Sequence, residues 1–90
     1  MSVYLLGSDN YLYGLELALR DPDSIIVMME NATYLPLHKK DLNLKSHRFY
    51  AIHEHVELRG LMGRIPETIK LIHFDELVDL IESDNVINFT

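Results

Sequence analysis

Ninety residues make about one small domain, and an apolar content of 48% excludes intrinsic disorder. The absence of cysteine excludes a disulfide scaffold, a Cys-ligated zinc site, an iron–sulfur cluster and a cysteine nucleophile. A net charge of −6 makes the chain a poor stand-alone binder of nucleic acid, because affinity for phosphate rests on positive charge.

Short apolar runs alternate along the chain with stretches of helical spacing. Ser2–Leu6 reads as a strand, stopped by Gly7-Ser8-Asp9-Asn10. Tyr11–Leu19 follows as a helix whose apolar side is Leu12, Leu15, Ala18 and Leu19. Arg20-Asp21-Pro22-Asp23 ends it, since the residue before a proline is biased away from helix. Ser24–Met29 is apolar on both faces, as an interior parallel strand requires. Met28 and Met29 are read as core rather than as ligands.

Glu30–Leu37 is helical but irregular, with Pro36 tolerated only near a helix start or a break. Asp41–Lys45 is a second short piece or a loop. His47–Ile52 is the third strand, and Glu54–Leu61 a short helix closed by Gly60 or Gly63. Arg64–Thr68 connects to a fourth strand, Ile69–His73. Asp75 is the expected N-cap of a last helix through Ser83, with Leu77, Val78, Leu80 and Ile81 inward. Asn85–Thr90 is a tail or a fifth short strand.

This alternation predicts an α/β fold: a small open parallel sheet of about four strands with helices on both faces. The connections are too short for two domains, so residues 1–90 are expected to form one. No run of ~18 apolar residues is present to span a membrane. The opening MSVYLLGSDN lacks the basic flank, the apolar length and the small-residue cleavage site of a signal peptide, so the expected compartment is the cytoplasm.

Charge is unevenly spread. Residues 1–37 carry net −4, residues 38–53 net +3, and residues 54–90 net −5. The basic island, Lys39, Lys40, Lys45 and Arg48, reads as a solvated helix end and loop. The acids Asp75, Glu76, Asp79 and Glu82 read as the solvated face of the last helix.

Parallel sheets bind ligands beyond the carboxyl ends of their strands. That rim is expected to hold Gly7, Ser8 and Asp9, then Glu30, Asn31 and Ala32, then His53, Glu54 and His55. The first turn has neither the G-x-G-x-x-G of a dinucleotide site nor a phosphate loop, and Ser8-Asp9 reads as a cap for the next helix. No G-x-S-x-G elbow supports a nucleophile. His53 and His55 lie two apart and share no helix face. Zinc requires three or four convergent ligands, and His73 is the other histidine able to join, from the end of strand four. His53 and His55 therefore read as solvated or capping, and His38 and His47 have no evident partner. No catalytic residue, metal or cofactor is expected.

Phe49–Leu61, FYAIHEHVELRGL, resembles the DsrH/TusB family of sulfur-relay proteins, whose members carry a VYAL-type strand, a polar pair and a helix ending A-R-G-L or A-R-G-F. Tyr50, Ala51, Arg59, Gly60 and Leu61 match that pattern. Ile69–Leu80 is similar to the family's fourth strand, cap and FVDL-type helix, and Ile25–Tyr34 to its strand followed by E/Q-[DN]-[GA]-V-Y/W. The resemblance implies a non-catalytic subunit of a TusBCD-type relay that passes a persulfide toward 2-thiolation of wobble uridine in transfer RNA. The implied partners are TusC/TusD-like (DsrF/DsrE-like) chains in a hetero-oligomer, or further copies of this chain if those are absent. The candidate matching surface is Glu30, Asn31, Tyr34, Arg59, Gly60 and Leu61. Gly60 also reads as a helix cap, Tyr34 and Leu61 as core, and Arg59 as a partner for Glu54 or Glu57. In DsrH-type members a homologous complex serves dissimilatory sulfur oxidation, and some of these members carry a cysteine on the first helix, roughly where this chain has Ala18. The H-T that follows the family's first strand is replaced here by Leu6-Gly7. The alternative readings are a small enzyme or ligand-binding module using Ser8, Asp9, His53 and His55 at the rim, and a DsrH-like protein of sulfur oxidation.

Overall fold

A computed structural model describes residues 2–39, 42–83 and 85–90. The strands are β1 (Ser2–Leu6), β2 (Ser24–Met28), β3 (Arg48–Ile52), β4 (Ile69–Ile72) and β5 (Asn85–Phe89). The helices are α1 (Tyr11–Arg20), α2 (Leu35–His38), α3 (His53–Leu58) and α4 (Phe74–Ser83), and a 3-10 helix over Glu30–Tyr34 runs straight into α2. Lys40 and Asp41, at the centre of the basic island, lie outside the described residues.

All five strands are parallel, in the order β4-β3-β2-β1-β5. The fifth strand corrects the expected count of about four. Asn85–Phe89 pairs with β1 over its whole length, Ser2 opposite Asn85 through Leu6 opposite Phe89. As an edge strand it keeps half its surface in water, so its residues need not be apolar.

The order dictates where the helices go. From β1 to β4 each step moves one strand in the same direction, and right-handed crossovers then place their helices on one face. The step from β4 to β5 returns across the whole sheet, which sends α4 to the other face. The packing agrees. One core joins Tyr4, Leu6, Ile26, Met28, Phe49 and Ala51 of the sheet to Leu15 and Ala18 of α1, Ala32, Leu35 of α2 and Val56 of α3. The other joins Val3, Leu5, Ile25, Val27, Ile52 and Ile72 to Leu77, Leu80 and Ile81 of α4. Every residue of β2 is buried, as its two-sided apolar pattern requires.

Several local expectations are corrected. The inward side of α1 is Gly14, Leu15 and Ala18, while Leu12 is 52% exposed. Gly14 sets this rotation: a Cβ there would lie 2.7 Å from Leu6 Cδ2 and from the Phe89 ring, so the helix seats its glycine against β1 and β5. Ser8 and Asp9 do not cap α1; Asn10 takes the N-cap position in the left-handed region (φ 56°) without a side-chain cap bond. Helix α4 begins at Phe74, and Asp75 lies in its first turn rather than at its cap. The His73 N–H donates instead to Glu76 Oε1 (3.2 Å), half of a capping box. Val78 faces outward.

Helix α3 stops at Leu58, three residues earlier than expected. Gly60 takes φ +68°, its N–H reaches the Glu57 carbonyl (3.1 Å), and the Leu61 N–H reaches that of Val56 (3.0 Å). This is a Schellman motif, completed by burial of Val56 and Leu61 in the same core. Gly63 is also left-handed (φ +81°) and shapes the following turn.

Candidate functional site at the carboxyl rim of the sheet

The carboxyl ends of β1 to β4 carry two groups of polar side chains. The first is centred on Glu30, which directly follows β2 and the extended Met29. Glu30 is held with φ +49°, a region that non-glycine residues occupy rarely. Its N–H donates to His55 Nδ1 (2.8 Å), its carbonyl accepts from Thr33 Oγ1 (2.6 Å), and its carboxylate accepts from Ser8 Oγ. The backbone N–H is an obligatory donor, so Nδ1 of His55 must be the unprotonated ring nitrogen. The His55 ring packs edge-on to Phe74 (centroids 5.2 Å). Beside this group, Arg59 Nε donates to Asn31 Oδ1 at 3.4 Å, instead of pairing with Glu54 or Glu57.

The second group stands at the boundary between β3 and β4. The chain leaves β3 toward α3 on one face and leaves β4 toward α4 on the other. Adjacent strands whose connections diverge to opposite faces form a crevice at their carboxyl ends. His53, Glu54 and His73 meet there. The His53 and His73 rings lie 4.6 Å apart, and His73 Nδ1 is 3.2 Å from Glu54 Oε2. The ion pair is exposed, with 55% of the His73 and 44% of the Glu54 side chain accessible. Hydrogen bonding to the backbone, and secondarily to His73, holds the Glu54 carboxyl below the ordinary range. The hydrogen bond to Glu54, reinforced by the charges of Glu54, Glu76 and Asp75, raises His73 above the ordinary imidazole value. His73, the histidine that the sequence offered from the end of strand four, does join His53 and Glu54, while His55 turns away toward Glu30.

The structure places each candidate surface residue. Glu30, Asn31 and Arg59 are together at the rim; Tyr34 is half-buried and stacks on His38 (centroids 5.8 Å). Gly60 is exposed, and Leu61 is in the core. Next to them Leu58 is 80% exposed and Met62 45%, two apolar neighbours that the motif reading passed over. Ser8 and His55 both grip Glu30, whereas His53 faces His73, so Ser8, His53 and His55 divide between two groups; Asp9 is exposed. His38 and His47 have partners after all: His38 has Tyr34, and His47 has the Asp21 carbonyl (3.0 Å) and Ser46 Oγ (2.8 Å).

A depression of about 320 Å³ lies at the opposite, amino end of β2 and β3. Lys45 and Arg48 of the basic island line it, with Asp23 among its walls. A second, of about 250 Å³, lies between β3, β4 and α4, lined by Tyr50, Lys70, Glu76 and Asp79. Neither includes Ser8, Asp9, His53 or His55.

The five-strand parallel order, the Glu30-Asn31 turn after β2 and the Arg59-Gly60-Leu61 cap after α3 give the three resembling segments one continuous structural setting. The family described as DsrH like protein matches residues 11–86. The chain belongs to the DsrH-like family. No curated protein matches the chain. As a cysteine-free DsrH-like protein it has no thiol on which to carry sulfur. Ala18, the rough counterpart of the cysteine that some members carry on the first helix, is fully buried in the DsrH-like core here. Family membership points to a role in sulfur relay. Among the described residues no helix is long and apolar enough to cross a membrane.

Proposed function

We propose that this DsrH-like chain is a non-catalytic subunit of a cytoplasmic sulfur relay of the TusBCD type. In this reading it supports persulfide transfer toward 2-thiolation of wobble uridine in transfer RNA. The observation that carries the reading is the absence of cysteine from a member of this family. Persulfide chemistry needs a thiolate, so the sulfur must travel on a cysteine of a TusC/TusD-like (DsrF/DsrE-like) partner. On the matching surface Glu30, Asn31, Tyr34 and Arg59 meet the partner, with Leu58 and Met62 as exposed apolar anchors, while Gly60 sets the turn that presents Arg59. Leu61 contributes from beneath, by seating the Arg59-Gly60 turn on the core. A core of this size gives a physical reason to associate, because small domains gain stability by oligomerising.

The test is a native pull-down of the chain from its own cells, with mass spectrometry of what co-elutes, and measurement of 2-thiouridine in transfer RNA after deletion of its gene. A cysteine-bearing DsrE-like chain in fixed ratio, together with loss of 2-thiouridine, supports the proposal. The same partner with 2-thiouridine unchanged assigns the complex to sulfur oxidation instead. Recovery of this chain alone rejects a stable relay complex.

A further inference from the structure

We infer that His53, Glu54 and His73 form a binding site for a divalent transition-metal ion of the zinc class. Among the described residues, one ligating atom from each of the three lies within 4.8 Å of the other two. Two imidazoles and one carboxylate suit zinc and its neighbours in the first transition row, and are a poor match for magnesium or calcium, which take oxygen ligands. Tetrahedral zinc with bonds of ~2.0–2.1 Å holds its ligand atoms about 3.3 Å apart. His73 Nδ1 and Glu54 Oε2 are already 3.2 Å apart, so the pair has the required separation. His53, half-buried beside the exposed Glu54 and His73, must close the rest by a change of rotamer.

Three further features favour a cation here. The ligands come from two strand ends, β3 and β4, which the sheet holds in register with Ile52 opposite Ile72. The His73 backbone is fixed by its N–H bond to Glu76, so one ligand is positioned from behind. Asp75 and Glu76 add negative charge beside His73 and compensate a bound dication. Three protein ligands leave coordination positions for water or an exogenous ligand, as in open rather than structural zinc sites. This inference does not rest on the relay assignment, and its test reads metal binding alone.

The tag-free full chain is titrated with zinc chloride by calorimetry at neutral pH and with cobalt(II) chloride by visible absorption. The expected result is one ion per chain, with affinity falling about tenfold or more in each of His53→Ala, His73→Ala and Glu54→Gln. His38→Ala, remote from the cluster, should bind as the parent does. Circular dichroism confirms that the variants fold, as substitutions outside the core should. In the unaltered chain, the imidazole signals of His53 and His73 should shift on metal addition while those of His38 and His47 stay fixed. Absence of binding at about 100 µM zinc overturns the site. So does binding that survives His53→Ala/His73→Ala, or metal-induced shifts confined to His38 and His47.

Discussion

Glu30 and His55 lock one another across the carboxyl end of the sheet: the Glu30 amide donates to His55 Nδ1 at 2.8 Å while Glu30 sits at φ +49°. A left-handed glutamate costs roughly 1 kcal/mol or more, so the surrounding bonds must over-determine it. They do, because the amide, the carbonyl and the carboxylate of Glu30 each have a partner from a different residue. The bond also ties the start of α3 to the turn after β2, and so joins two of the three family-like segments.

His55→Ala should therefore destabilise the fold by about 1–2 kcal/mol, through the unsatisfied Glu30 amide. Urea denaturation measures it. Amide exchange should accelerate at Glu30 more than at the centre of β2. A loss below a few tenths of a kcal/mol would show that water replaces the imidazole without cost.

Gly14→Ala tests the seat of α1. Alanine improves intrinsic helix propensity by about 1 kcal/mol, but its Cβ would lie 2.7 Å from Leu6 and Phe89. Overpacking of that kind costs typically about 1–3 kcal/mol, so the net effect should be destabilising. Phe89 is on an edge strand and has more freedom to yield than Leu6, so exchange protection should fall first in β5. Glu16→Ala, on the exposed side of the same helix, should leave β5 protection unchanged.

Strand β2 was legible because SIIVM is apolar on both faces and only a strand covered on both sides has that need. Strand β5 was ambiguous because NVINF mixes polar and apolar residues, and only its pairing with β1 makes a strand of it. Leu12 misled the α1 reading because side-chain hydrophobicity says nothing of Gly14, whose value lies in having no Cβ. The rim was legible as a list of residues but not as groups. Whether His53 meets His55 or His73 depends on α4 crossing to the far face, a property of strand order rather than of spacing. The Ser8–Glu30 bond was hidden for a different reason, since it requires a backbone conformation that glutamate seldom takes.

Gly60→Ala separates folding from recognition at the Arg59-Gly60-Leu61 turn. A Cβ at Gly60 would meet nothing within 4 Å, so any cost is conformational and comes from φ +68°. That cost should be about 1–2 kcal/mol, and Gly60→Asn should recover part of it. Partner capture, compared at temperatures where both variants are folded, should change little. Arg59→Ala should show the reverse, with stability nearly unchanged and capture of the proposed relay partner reduced. If Arg59→Ala captures its partner as the parent does, Arg59 and Asn31 have only a local role.

Tyr4 gives the fold an alkaline limit. Its ring is buried in β1, and burial raises the phenol above its ordinary value of 10.0; the Asp21 charge and a long hydrogen bond to Asp21 (3.5 Å) act in the same sense. A group whose value is raised on folding contributes stability that is fully present below the unfolded value. That contribution is lost as pH rises from about 10 through the folded value. Stability should therefore decline above pH ~10 in the parent chain and decline less in Tyr4→Phe, which removes the ionisation but keeps the ring. Near neutral pH the same substitution should cost little, because the hydroxyl's one described bond is long. Urea midpoints at neutral pH and above pH ~10, with phenolate absorbance followed in parallel, make the comparison. Equal alkaline declines in the two proteins would show that Tyr4 is not the group responsible.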